Sequence, residues 1–190
     1  MTLVCFGVSW IRRPLDRYRV SPHPVFLELP NSLDFYLSVY AKPPLPIPPP
    51  ILGLILLLVS GCLMAAIPLA AIPIPAGRPI GIFFLLIGLI TGFSGFSAFR
   101  QAGTSLRPGD QPSRFVTQGP FRITRNPMYL GFELILIAVF FLTKSAFFLI
   151  PPVVFFFSMN FLLVPFEEKL MTEHFGEPYT EYRRRVRRWL

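Results

Sequence analysis

Thr117-Gln118-Gly119-Pro120-Phe121-Arg122-Ile123-Thr124-Arg125-Asn126-Pro127-Met128-Tyr129-Leu130-Gly131 joins dense turn and basic chemistry to the start of an apolar run. Asn is favoured at a helix N-cap and Pro at the first helical position, so Asn126-Pro127 marks a helix start. That local explanation leaves Arg122 and Arg125 before it, and Tyr129 just inside it, without a structural reason. Glu133 follows one turn beyond Tyr129 on the same face. A carboxylate deep in a membrane helix costs about 2.5 to 3.5 kcal/mol on insertion scales, so it faces the protein interior or a polar cavity. Glu133 lies about two turns in, which leaves it a choice between reaching back to the interface and pairing with Arg125.

Outward from this stretch, the chain is 53% hydrophobic and only 15% charged, a balance outside that of ordinary soluble domains. Four apolar runs, at 51–74, 80–99, 128–143 and 145–166, contain Glu133 as their sole charged residue. The first, second and fourth reach the roughly 20 residues that cross a bilayer as a helix. The third does so if it begins at Asn126 and tilts little. This predicts an all-α integral membrane bundle of about four transmembrane helices.

The net charge of +8 is not spread evenly. Of the 18 Lys and Arg residues, all but Arg78 and Lys144 lie before residue 51, between 100 and 125, or after 166. By the positive-inside rule this gives a multi-pass protein with both termini cytoplasmic, and it argues against nucleic acid as the partner of the basic charge. Residues 1–10 have no basic start and run into Arg12 and Arg13, unlike a secretory signal peptide. Cys5 and Cys62 are far apart in unlike settings, and His23 and His174 have no partners at ligand spacing, so no metal site is expected.

Residues 1–46 are expected to be weakly ordered or to lie on the membrane surface, ending in a stiff Pro-rich spacer. Six of the residues 43–50 are proline. Residues 47–190 form the membrane domain. Residues 73–79 read as a tight hairpin, and Gly81, Gly88, Gly92 and Gly95 as a face for close helix packing. Thr143-Lys144-Ser145 turns the third helix into the fourth and brings Asn126 and Phe166 to one membrane face. A short helix through His174 should stop at Gly176 with a left-handed cap. A further helix from Pro178 places Tyr179, Tyr182, Val186 and Trp189 on one stripe with arginines around it, as an amphipathic C-terminal helix.

Glu167-Glu168 alone is an ordinary acidic pair at a helix start. Beside a basic Gly- and Pro-rich loop, however, paired Arg and Glu can hold a zwitterion by its carboxylate and amine. Phe115, Phe121 and Tyr129 can flank a flat base or a cationic centre.

The run from Phe115 to Gly131, together with Glu167-Glu168 and the pattern Phe175-Gly176-x-x-Tyr179-x-x-Tyr182-x-x-x-Val186, resembles the isoprenylcysteine carboxyl methyltransferase family and its bacterial relatives. It is also similar to the phospholipid N-methyltransferases. The resemblance spans about residues 80–190. It implies S-adenosyl-L-methionine as cofactor, held on the cytoplasmic side by Ser113, Arg114, Phe115, Val116, Phe121, Asn126, Pro127, Met128, Tyr129 and Glu167. Arg125, Tyr129 and Glu133 are the candidate catalytic residues. Asn126 stands where these enzymes usually carry histidine, which removes any role for an imidazole. Leu163 stands at or near an arginine of the eukaryotic enzymes, which argues against prenylcysteine as the substrate.

The expected function is therefore transfer of a methyl group from S-adenosylmethionine to a small or lipid-like acceptor, in the lipid bilayer of a bacterial inner membrane. The alternative is a non-catalytic membrane binding or assembly protein that retains the scaffold. A transporter is a weaker third reading, since one intramembrane acid and no internal repeat give little to build a pathway from.

Overall fold

A computed structural model describes residues 43–67, 69–103 and 115–190. Five helical rods account for most of them: α1 (Pro49–Ala66), α2 (Gly77–Ala102), α3 (Pro127–Thr143), α4 (Ala146–Phe175) and α5 (Glu177–Arg185). Among the described residues there is no strand, only one isolated parallel bridge between Thr124 and Arg187. The protein is an all-α membrane bundle.

Length and composition allow α1, α2 and α4 to cross a bilayer, with 18, 26 and 30 residues. The 17 residues of α3 make it a shorter apolar rod. Its connection to α4 is the sharp turn expected, with Lys144 in the left-handed conformation. The first apolar run behaves differently from the expectation. Its helix ends at Ala66, and Ile67, which precedes a proline in the sequence, is extended, as pre-proline residues prefer. Residues 69–76 are not helical, and α2 begins at Gly77. This stretch gains order by docking, with the Ile72 N–H donating to the Lys144 carbonyl at 2.8 Å. The expected tight turn within 73–79 is present, with Ala76 left-handed and the Gly77 N–H on the Ile74 carbonyl at 3.3 Å, but it is only the last part of a longer connection that docks against the α3–α4 turn.

The α2–α3 seam shows why the glycines recur. A methyl group placed on Gly81 would meet Leu142 and the Ala138 carbonyl, one on Gly88 would meet the Gly131 carbonyl, and one on Gly95 would meet Met128 and Pro127. The pairing runs antiparallel. On the other side of the seam, a methyl on Gly131 would lie 2.5 Å from the Gly92 nitrogen and 2.6 Å from its Cα. In lipid, where no hydrophobic drive separates helix from solvent, such backbone approach supplies the dispersion contacts that hold helices together.

The opposite side of α3 faces the core. Leu136, Phe155, Met159, Leu163 and Val164 are buried between α3 and α4, with Leu52, Leu56 and Leu57 of α1 packed against them. Ile82, Phe83, Leu86, Leu89, Ile90 and Phe93 of α2 point away from the protein, an apolar belt of the kind that lipid covers.

Within α4 the ladder widens to a π turn over Met159–Leu163. Pro165 explains the position, because it has no N–H to give and its ring crowds the carbonyl one turn back. The rod does not stop at Phe166 and restart. It runs on to Phe175 and ends at Gly176 with φ 61° and ψ −132°, positive in φ but outside the left-handed helical well expected of it.

Gly131→Ala should therefore splay α2 from α3 and destabilise the protein by about 1 to 3 kcal/mol. Gly61→Ala, where an added methyl meets nothing within 4 Å, should leave the Tm in detergent unchanged or raise it slightly. Equal effects of the two substitutions on thermal unfolding would refute the close-packed seam.

Candidate functional site

The start of α3, the far end of α4, α5 and residues 115–126 meet at one mouth of the bundle. The 3-10 turn Gly119–Arg122 buries Phe121, whose ring lies 5.2 Å from that of Phe99 at the end of α2. The Phe121 carbonyl accepts the Tyr182 hydroxyl at 2.7 Å. Phe115 enters a second aromatic group, with ring centroids 5.5 Å from Phe175, 5.5 Å from Tyr179 and 5.0 Å from Tyr182. These contacts place α5 over the loop that leads into α3.

Two carboxylates from the far half of α4 organise the mouth. Glu167 accepts the Tyr129 hydroxyl at 2.8 Å, which ties the first turn of α3 to α4. Glu168 is buried, 5% exposed, under three guanidinium groups. Arg188 forks onto it with Nε at 3.1 Å and Nη2 at 2.7 Å. Arg125 Nη2 lies 3.1 Å and Arg183 Nη2 3.5 Å from its oxygens. One negative charge against three positive ones leaves this corner electropositive. Arg125 adds to that, because its Nε and Nη1 are buried without a hydrogen-bond partner.

Several expected site residues have different surroundings from those anticipated. Glu133 does not pair with Arg125, whose guanidinium turns to Glu168 instead. The Oε2 atom of Glu133 is buried without a partner. Asn126 occupies the N-cap position of α3 but makes no side-chain capping bond. Its amide donates to the Arg188 carbonyl at 3.0 Å, while Thr124 Oγ1 accepts the Asn126 N–H at 3.2 Å. Pro127 and Met128 lie toward Gly95 of α2. Val116 is half-buried, outside any helix. Ser113 and Arg114 lie outside the described residues. Leu163 is core, 1% exposed.

The expected amphipathic helix stops early. α5 ends at Arg185, and Val186 is extended. From there the chain is captured by the loop before α3: the Arg125 N–H donates to the Arg187 carbonyl at 3.0 Å, and Thr124 Oγ1 donates to the Arg188 carbonyl at 3.0 Å. Tyr179 and Tyr182 keep their places on the inner face, whereas Trp189 reaches its site as part of an irregular strap. Its indole N–H donates to Asn160 Oδ1 at 3.0 Å, and its ring lies 5.5 Å from that of Phe156.

Asn160 and Arg188 are residues that the sequence reading gave no role in the site, and Glu168, offered there only as half of the Glu167-Glu168 pair, proves to be its ionic centre. For Asn160 there was a usable signal. It is the one carboxamide in the run 145–166, and polar residues there tend to face the interior.

A profile of the phospholipid methyltransferase family matches residues 77–178. That segment holds α2, α3, α4, the motif loop and both glutamates, and it is more than half of the chain. A helical membrane bundle with its charged residues gathered at one mouth is the class this defines: a multi-pass membrane methyltransferase. The chain belongs to the phospholipid methyltransferase family, as the resemblance implied. No curated protein and no solved structure is found to match it.

Burial and the nearby Glu168 push the Tyr179 phenol up to about 12. Burial, and then Tyr179, raise that of Tyr182. Both favour the neutral phenol in the folded state, against an ordinary value of 10.0. Their stabilising contribution should be complete below pH 10 and lost as pH rises from there through about 12. Tyr182→Phe should cost about 0.5 to 1.5 kcal/mol at neutral pH by deleting the bond to Phe121, and make the alkaline loss shallower. Unfolding midpoints measured against pH check both. Glu168→Gln should cost about 3 to 5 kcal/mol in the same assay, because three guanidinium groups lose their shared counter-charge.

Proposed function

We propose that this protein transfers a methyl group from S-adenosyl-L-methionine to a small or lipid-like acceptor at the mouth formed by α3, α4 and α5. The observation that carries the reading is the Tyr129–Glu167 bond beside a guanidinium with two buried, unpaired N–H groups. The cofactor's amino-acid end is a zwitterion. A carboxylate at Glu167 suits its ammonium, and the open donors of Arg125 suit its carboxylate. Of the three aromatic residues expected to flank it, Phe121 is closed in by Phe99 at 5% exposure, which leaves Phe115 and Tyr129.

The cofactor supplies the electrophilic methyl group on a sulfonium, and the displacement is in line. The protein's part is alignment and exclusion of water. Tyr129, fixed by Glu167, sets the approach at the top of α3. A carboxylate acceptor needs no base, whereas an ammonium or thiol must first lose a proton. Glu133, one turn below Tyr129 with an unpartnered buried oxygen, is the group we assign to take it. An acceptor can arrive sideways from lipid, because the mouth lies at the end of the apolar belt.

The concentration of Lys and Arg before residue 51, between 100 and 125, and after 166 supports a cytoplasmic site with both termini on that side. We place it in a bacterial inner membrane on the resemblance of its two sequence blocks to the bacterial relatives of the isoprenylcysteine carboxyl methyltransferases. A non-catalytic binding protein would use the Tyr129–Glu167 pair equally well. The electropositive corner, with buried donors that have no partner within the protein, favours a site that accepts a ligand.

Calorimetric titration of the detergent-purified protein with S-adenosylhomocysteine should give saturable binding, abolished in Glu167→Ala and weakened about tenfold in Tyr129→Phe, the equivalent of one hydrogen bond. A folded wild type that binds none would refute cofactor use. Glu133→Gln should slow transfer to an amine acceptor on the order of 100-fold or more and leave transfer to a carboxylate acceptor nearly unchanged. Equal losses on both acceptor types would remove Glu133 from proton transfer.

A further inference from the structure

The site residues lie on two segments far apart in sequence, the entry to α3 and the far half of α4. Residues 186–190 are bonded to both. Toward α3, the Arg187 carbonyl accepts the Arg125 N–H at 3.0 Å, and the Arg188 carbonyl accepts Thr124 Oγ1 and Asn126 Nδ2, each at 3.0 Å. Toward α4, the Arg188 side chain forks onto Glu168 and reaches the Asn160 carbonyl at 3.2 Å and its Oδ1 at 3.3 Å. The Trp189 indole adds its own bond to Asn160.

The seat on α4 is specific to this helix. In the π turn the Val164 N–H bonds to the Met159 carbonyl, five residues back. By the same register the Asn160 carbonyl would take the N–H of residue 165, and that residue is proline, which has none. A carbonyl inside a membrane helix is thereby left open, at a depth where an unpaired carbonyl is costly. The Arg188 guanidinium fills it. The π turn and Pro165 together create a socket, and Arg188 is the plug.

Resting on the methyltransferase reading, we propose that residues 186–190 are a strap that fixes the spacing between the start of α3 and the far half of α4. Arg188 is its positioning residue: through Glu168 and Asn160 it holds Tyr129 and Glu167 at cofactor-binding distance without touching the cofactor. Phosphatidyl or other acceptor groups play no part in this role. It follows that the strap controls cofactor affinity more than the rate at saturation.

The test compares wild type with Arg188→Ala, Arg188→Lys and Asn160→Ala by hydrogen exchange and by cofactor kinetics. In Arg188→Ala the amides of Arg125 and Asn126 should exchange faster, while peptides across the α2–α3 glycine seam keep their protection. The KM for S-adenosylmethionine and the Kd for S-adenosylhomocysteine should rise on the order of 10- to 100-fold, as expected when one or two charge-assisted hydrogen bonds to the cofactor are lost. The kcat at saturation should stay within about threefold, and Arg188→Lys should recover part of the affinity. A strap that served stability alone would lower the yield of folded protein and leave KM unchanged. Unaltered exchange at Arg125 and Asn126 would overturn the strap itself. Faster exchange with unchanged KM and Kd would overturn its role in positioning. A wild type that binds no S-adenosylhomocysteine would strike the methyltransferase reading, and the exchange arm would still judge the strap. If Arg188→Ala does not fold, Asn160→Ala, which removes the Oδ1 acceptor of Arg188 and Trp189 and keeps Glu168 paired, is held to the same directions at smaller size: faster exchange at Arg125 and Asn126 and a raised KM, with unaltered exchange or unaltered KM overturning the proposal.

Discussion

Glu168 is a buried carboxylate shared by three arginines from three different parts of the chain, and the mouth of the bundle is assembled around it. Arg125 precedes α3, Arg183 belongs to α5, and Arg188 belongs to the strap that follows. Removing a carboxylate from water carries a desolvation penalty, which only close and well-directed partners offset. The geometry here is of that kind, with the Arg188 fork at 3.1 and 2.7 Å. The excess of positive charge has a chemical consequence. Part of the Arg125 guanidinium has no internal partner, so the same corner that ties three segments together also retains donors for an anionic group.

The rest of the bundle keeps that corner in place. α3 is held on one side by glycines that let its backbone touch α2, and on the other by the apolar core against α4. Neither contact tolerates sliding by half a turn, because a one-residue shift would bring side chains to the glycine positions. A rigid α3 in turn gives Tyr129 a fixed height opposite Glu167. The position of the site thus depends on packing in the lipid-facing part of the protein as well as on the polar residues that form it.

Local features were readable from the sequence. The four apolar runs, the turn at Lys144, the glycine face of α2 and the start of α3 at Pro127 each follow from a few adjacent residues. The pairing of Tyr129 with Glu167 was foreshadowed by placing both at one membrane face. What escaped depends on contacts between distant residues. The stripe from Tyr179 to Trp189 has helical spacing, yet the helix ends at Arg185 because Thr124, Arg125 and Asn126 offer the following backbone better partners than another helical turn. Asn126 looked like a cap by residue type, and the same contact drew its side chain away. The open carbonyl at Asn160 arises from a π turn, which no periodicity announces. The early end of α1 at Ala66 reflects proline chemistry that the hydropathy of the run concealed.

Family membership makes the chain a membrane methyltransferase, and the site supplies a carboxylate and an electropositive corner suited to a zwitterionic methyl donor. The most direct test is to incubate membranes carrying the protein with S-adenosylmethionine labelled in its methyl group, then extract the lipid and the small-molecule fractions. The account predicts label in an acceptor when wild type is present, and a rate reduced to background when Glu167→Ala replaces it at equal abundance. Label that appears equally with both, or with neither while the wild type is folded, would contradict it.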